Sequence, residues 1–89
     1  MSSKYDVAFD PAAIKDLEKI KKSQPKIARQ IANRIDALSE NILLGKALQG
    51  SKKEIFSLRQ GDYRVIYEIF HQEQIVLIHA IGDRKEVYK

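Results

Sequence analysis

Cysteine is absent from this chain of 89 residues, and proline occurs only twice. Without thiols, a disulfide-stapled fold, a thiolate nucleophile and a thiolate metal site are all excluded. The opening Met1-Ser2-Ser3-Lys4-Tyr5-Asp6 leads into no apolar signal core. No stretch approaches the ~18 consecutive apolar residues that a membrane span requires. A cytoplasmic protein with no membrane partner is expected. Also missing are a Ser/His/Asp arrangement, a phosphate-binding glycine-rich loop and a dinucleotide fingerprint. His71 and His79 are eight residues apart with no nearby pair of carboxylates at helical spacing, which falls short of metal-ligand geometry. No metal and no cofactor are expected.

What the chain does contain is charge of both signs, interspersed, with an ordinary apolar fraction of 44%. That composition fits neither disorder nor a fibrous class. The length suits one domain over residues 1–89 with a modest core. Sixteen Lys+Arg against twelve Asp+Glu leave a formal charge of +4, which favours polyanionic partners, nucleic acid first among them. The excess is the same in both halves, eight basic and six acidic residues in 1–45 and again in 46–89. Any positive patch must therefore be assembled by folding.

Residues 5–9 alternate polar and apolar around Val7, as a short strand does. Asp10-Pro11 then starts a helix, since an Asp N-cap accepts from the free first-turn amides and Pro has no donor to waste there. Ile14, Leu17 and Ile20 define its expected buried stripe. Ser23-Gln24-Pro25 repeats the start signal, and Ile27, Ile31, Ile35, Leu38 and Ile42 keep helical spacing for a second helix. Two capped helices this close imply an antiparallel hairpin. Gly45 and Gly50 bracket a loop whose Lys46, Lys52 and Lys53 are expected on the surface.

From Glu54 onward β-branched and aromatic residues dominate, with turn signals at Gln60-Gly61-Asp62 and at residues 71–74. Three strands follow, at about residues 54–59, 62–70 and 75–81, joined as an antiparallel meander. The apolar run Ile75-Val76-Leu77-Ile78 is expected to lie centrally under the helices. The predicted fold is α+β, in the order β-α-α-β-β-β: a mainly antiparallel four-stranded sheet with a helical hairpin on one face and a basic groove on the other.

Strand periodicity puts Ile55, Ser57 and Arg59 on one face and Phe56 and Leu58 on the other, while Arg64, Ile66 and Glu68 share a face of the next strand. If Arg59 and Arg64 flank a tight turn, their guanidiniums converge, which is unfavourable unless an anion or carboxylate compensates. Arginine cannot deprotonate in proteins and its planar fork matches phosphate oxygens. Arg84 would approach from the end of the last strand, with Tyr88 four residues beyond it. This grouping points to phosphodiester recognition or cleavage.

The chain resembles the RelE/ParE superfamily of bacterial toxin–antitoxin toxins across essentially its whole length. The resemblance is carried by the Asp-Pro-Ala-Ala helix start, the Leu48-Gln49-Gly50 loop, the block Leu58-Arg59-Gln60-Gly61-Asp62-Tyr63-Arg64-Val65-Ile66-Tyr67, and the ending Arg84-Lys85-Glu86-Val87-Tyr88. That ending is closer to the RelE branch, whose members cleave messenger RNA in the ribosomal A site, than to the gyrase-inhibiting ParE branch. The resemblance implies that Arg64 and Arg84 hold the scissile phosphate and that Tyr88 transfers a proton or stacks on a base, with Arg59 in support. Two lysines of the best-known RelE pattern are replaced by Ile55 and Ser57, so Lys52, Lys53 or Lys85 would take the proton from a neighbouring position. The implied partners are the ribosome with its mRNA and a cognate antitoxin, in a higher-order hetero-oligomer. The alternatives are a gyrase inhibitor on the same scaffold and a degenerate antitoxin-binding module.

Each residue also has a plain structural role to be weighed. Arg59 could pair with a carboxylate such as Glu68; Tyr63 and Tyr67 are expected to pack in the core; His79 is expected to be a satisfied core or interface residue and His71 a solvated one. Lys15, Lys19, Lys22 and Lys26 read as a solvated helical face.

Overall fold

The computed structural model of the chain describes residues 4–48 and 53–83. Among the described residues, no helix is long and apolar enough to cross a membrane. The element order is β1 (Asp6–Phe9), α1 (Pro11–Ser23), α2 (Pro25–Ala37), β2 (Lys46–Ala47), β3 (Ile55–Gln60), β4 (Tyr63–Phe70) and β5 (Ile75–Asp83). The strands form one mixed sheet in the order β1-β5-β4-β3-β2, in which β1 runs parallel to β5 and the other neighbours are antiparallel. The expected α+β architecture is present with one addition, the two-residue β2, whose Lys46 and Ala47 pair with Ser57 and Phe56. A two-residue strand has too little periodicity to be visible in sequence.

Asp10 caps α1 as its position predicts, accepting from the Ala12 amide at 2.9 Å. The buried face of that helix is rotated from the expected stripe: Ala13 and Ile20 are buried, whereas Ile14 is 44% exposed. Ala13 allows the helix to approach β5 closely, and one turn on, the Asp16 carboxylate accepts from the Ile81 amide at 3.1 Å. In α2, Ala28, Ile31 and Ile35 are buried and Leu38 caps the end. Ile42 belongs to the following turn and not to the helix, yet it still packs against the core. At the α1–α2 junction Ser23 bonds back to Lys19 and Ile20, and Gln24 donates its side-chain amide to the Tyr63 hydroxyl at 2.8 Å.

The apolar faces of β3, β4 and β5 meet the helices through Leu58, Val65, Tyr67, Val76, Ile78 and Ile81. β5 carries one extra residue, because Ile66 pairs with Ala80 while Tyr67 pairs with Ile78, leaving His79 as the bulge. His79 Nε2 lies 2.8 Å from the carboxylate of Glu68, which satisfies the buried acid. His71 is exposed, as expected, and also bridges the Tyr5 hydroxyl at 2.9 Å and Glu54 at 2.5 Å.

Tyr67 is fully buried and stacks on Phe56 with ring centroids 5.4 Å apart. Its hydroxyl donates to the Ile42 carbonyl at 2.9 Å and accepts from the Gly45 amide at 3.0 Å. The chain passes so close that a Cβ at Gly45 would lie 2.7 Å from the Ser57 carbonyl oxygen and 2.8 Å from the Tyr67 hydroxyl. Gly45→Ala is thus expected to cost about 1–3 kcal/mol by overpacking, and Tyr67→Phe a similar ~1–3 kcal/mol by stranding two backbone groups. Denaturant unfolding measures both.

Burial pushes the Tyr67 phenol above its ordinary 10.0, against a smaller opposing pull from the Gly45 amide. The unfolded chain therefore ionises first. The stability this group contributes is intact below pH 10.0 and is lost as the pH rises through the higher folded-state value. Unfolding curves taken at alkaline pH are expected to show a shallower decline for Tyr67→Phe than for the native chain.

Candidate functional site

The β3–β4 hairpin turns on two residues, Gly61 and Asp62, since Gln60 pairs with Tyr63. Gly61 has φ +61°, the positive value that the first central position of a primed hairpin turn demands. This tight turn sets Arg59 directly opposite Arg64 in the antiparallel ladder. Both side chains leave the sheet on the face away from the helices. Arg59 Nε also donates to the Gly61 carbonyl at 3.2 Å, so the turn holds one guanidinium in place.

The two arginines line a cleft of about 390 Å³. β2 pairs with Phe56 and Ser57, and among the described residues no strand lies beside the outer edge of β3 from Leu58 onward. Before β2 the chain bends inward to the Tyr67 hydroxyl, which opens the space. Arg34 reaches the cleft from the last turn of α2 and Lys46 from β2, while Leu44, Leu48 and Leu58 supply apolar wall. Four cations from four separate elements converge there. Among the described residues, no carboxylate makes an ion pair with any of them.

Arg59 is therefore not the partner of Glu68, which is engaged by His79. Ser57 lines the cleft on the Arg59 side; Ile55 and the exposed Lys53 do not. Lys52, Arg84, Lys85 and Tyr88 lie outside the described residues. Lys46 was legible only as a surface lysine, and Arg34 was not singled out at all. The signal for Arg34 was present: it sits three residues after Ile31 and four before Leu38, both fully buried, so it interrupts the edge of the apolar stripe of α2.

Such a site can do one thing well, which is to bind a polyanion. Like charges directly opposite in a sheet destabilise it, by about 0.2–1 kcal/mol per pair. They are tolerated where an anion completes them.

The helical pair packed on a five-stranded sheet matches the fold of solved RelE-type toxins. The toxin–antitoxin complex RelBE2 from Mycobacterium tuberculosis superposes with a TM-score of 0.77 at 30% identity, covering 97% of this chain and 98% of that one. The archaeal RelE–RelB complex from Pyrococcus horikoshii gives a TM-score of 0.76 at 23% identity over 97% of this chain and 99% of that one, a likeness of fold. In sequence, the toxin RelG of Mycobacterium tuberculosis is 30% identical over 87 residues, 96% of this chain and 97% of its own length. The family described as the ParE toxin of type II toxin–antitoxin systems matches residues 7–88, and the chain belongs to that RelE/ParE toxin family.

The convergence of Arg59 and Arg64 predicts a trade between site and stability. Arg64→Gln is expected to leave stability unchanged or raise it by roughly 0.2–1 kcal/mol at low salt. The difference should shrink as ionic strength rises, and urea unfolding at two salt concentrations measures it.

Proposed function

We propose that this toxin is a ribosome-dependent endoribonuclease that cleaves mRNA in the A site and so arrests translation in the cytoplasm. The observation that carries the reading is the Arg59–Arg64 cross-strand pair, set in a cleft that gathers four cations and, among the described residues, no pairing carboxylate. Arginine forks match phosphate oxygens, and fixed positive charge is worth most where negative charge develops during reaction.

In the proposed reaction the RNA supplies its own nucleophile. The 2′-hydroxyl oxygen attacks the adjacent phosphorus in line, the bond from phosphorus to the 5′ oxygen breaks, and a 2′,3′-cyclic phosphate and a 5′-hydroxyl result. The 2′ proton passes to a base on the protein and the departing 5′ oxygen receives one. Arg64 and Arg84 hold the phosphate, Arg59 supports them, and Tyr88 transfers a proton or stacks on a base. Lys52 or Lys85 is the candidate base, since Ile55 and Ser57 stand where the family pattern has lysines; Lys53, the third candidate, is exposed and does not line the cleft. No metal is needed for these steps.

The proposed partners are the ribosome with its mRNA and an antitoxin, in keeping with the antitoxin-bound relatives. A cationic cleft suits an antitoxin that is acidic in its toxin-binding part and folds on contact. The full chain would act as one toxin domain within a higher-order toxin–antitoxin assembly. A second reading, non-catalytic inhibition of DNA gyrase, is favoured by the absence of a basic side chain at Ile55 and Ser57 on the Arg59 face of β3.

Translating ribosomes incubated with the purified toxin in the presence of EDTA separate the two. The nuclease reading predicts cleavage of the A-site codon, and a loss of about 10²–10³-fold in rate for Arg64→Ala on the scale of removing one charge-stabilising donor. Tyr88→Phe should also lose activity, with antitoxin binding retained in both variants. Intact mRNA at full ribosome occupancy, with gyrase inhibited instead, would overturn it.

A further inference from the structure

Two of the cleft's cations have no part in the proposed chemistry. Arg34 comes from the helical layer and Lys46 from the outer strand, yet both open onto the same 390 Å³ space as Arg59 and Arg64. We propose that Arg34 and Lys46 form a second phosphate subsite, which seats the RNA strand along the edge of β3 beyond β2 by a phosphate neighbouring the one held at Arg59 and Arg64. This inference rests on the nuclease reading for the identity of its ligand.

The sheet register supplies the geometry. Lys46 pairs with Ser57, two residues before Arg59 on the same face. Two residues along a strand and one strand across place the Lys46 and Arg59 backbones roughly 8 Å apart. That separation, with side chains of this reach, lets Lys46 and Arg59 contact neighbouring phosphates of an extended single strand. Arg34 closes the other side from the last turn of α2, half-buried beside Ile31 and Leu38.

Among the described residues Arg34 has no carboxylate partner, and a half-buried guanidinium is costly unless an anion meets it. Its charge does favour the C-terminal end of α2 through the helix dipole. That role needs only a cation near the helix end, and does not account for Lys46 facing the same space.

The leucine wall argues for nucleic acid over an acidic peptide. Leu44 and Leu48, both half-buried, line the cleft beside the cations, an arrangement in which a base or ribose can lie against apolar surface while its phosphate meets a guanidinium. A run of carboxylates would use the charges and leave the leucines uncovered.

The test is the salt dependence of binding, read by fluorescence anisotropy with the full chain and a short mixed-sequence oligoribonucleotide. Each phosphate contact on a single strand contributes about 0.7 to the slope of log affinity against log salt. Arg34→Gln and Lys46→Gln should each lower the slope by about 0.7, so that a fourfold rise in salt weakens binding about 2.6-fold less than in the native chain. Arg34→Lys and Lys46→Arg should retain the native slope, as should Lys15→Gln on the exposed face of α1. If Arg34→Gln fails to fold by circular dichroism, Lys46→Gln carries the test alone.

Unchanged slopes in both Gln variants would overturn the subsite. So would binding of a polyglutamate peptide that depends on Arg34 and Lys46 when RNA binding does not. The readout is independent of cleavage: the predicted slopes with uncut mRNA would uphold the subsite and sink the nuclease reading, and cleavage with unchanged slopes would do the reverse.

Discussion

The hydroxyl of Tyr67 joins the two layers at the point where the cleft begins. It donates to the Ile42 carbonyl and accepts from the Gly45 amide, so one buried phenol on β4 fixes the path of the chain from the end of α2 into β2. Gly45 is needed because the chain crosses against the Ser57 carbonyl with no room for a side chain. The consequence reaches the surface: pinning residues 42–45 inward presents Lys46 beside Ser57, at the end of the stretch of β3 that β2 pairs with. Without that clamp, neither Lys46 nor the leucine wall would have a defined position relative to the arginines.

Against this fixed frame the cleft accumulates positive charge that the fold itself does not need. The strand pairing opposes Arg59 to Arg64 and the described residues offer no carboxylate to either. The ion pairs that the described residues do form, Glu68 with His79, Glu54 with His71 and Lys4 with Glu40, all lie outside the cleft. A toxin with such a cleft is also suited to silencing by a partner that brings negative charge to the same place.

Much of the fold was legible because its signals are local. Asp10-Pro11 announces a helix through unpaired first-turn amides, and the alternation of residues 55–59 and 64–68 announces strands through their period of two. The rotation of α1 was not legible, since Ile14 and Ala13 are equally compatible with helical spacing and only the close approach to β5 selects Ala13 as the inward residue. β2 was missed because two residues carry no period, and the bulge because it is defined by the partner strand, although His79 itself is the satisfied residue its apolar setting implied. At the site, Arg59 and Arg64 were readable as a pair from the turn between them. Arg34 was visible only as a break at the edge of the apolar stripe of α2, and nothing in a helix's own sequence says which sheet edge its last turn overhangs.

The amino-acid order by itself determined the elements, the two-residue hairpin turn and the cross-strand arginines, because each depends on backbone chemistry within a few neighbouring positions. It also carried the family resemblance, which rests on short contiguous blocks. Only the tertiary structure decided that a helix-borne arginine and an outer-strand lysine join them, since that meeting depends on the Tyr67 clamp and on where the sheet stops, and contacts between residues distant in the chain leave no local trace.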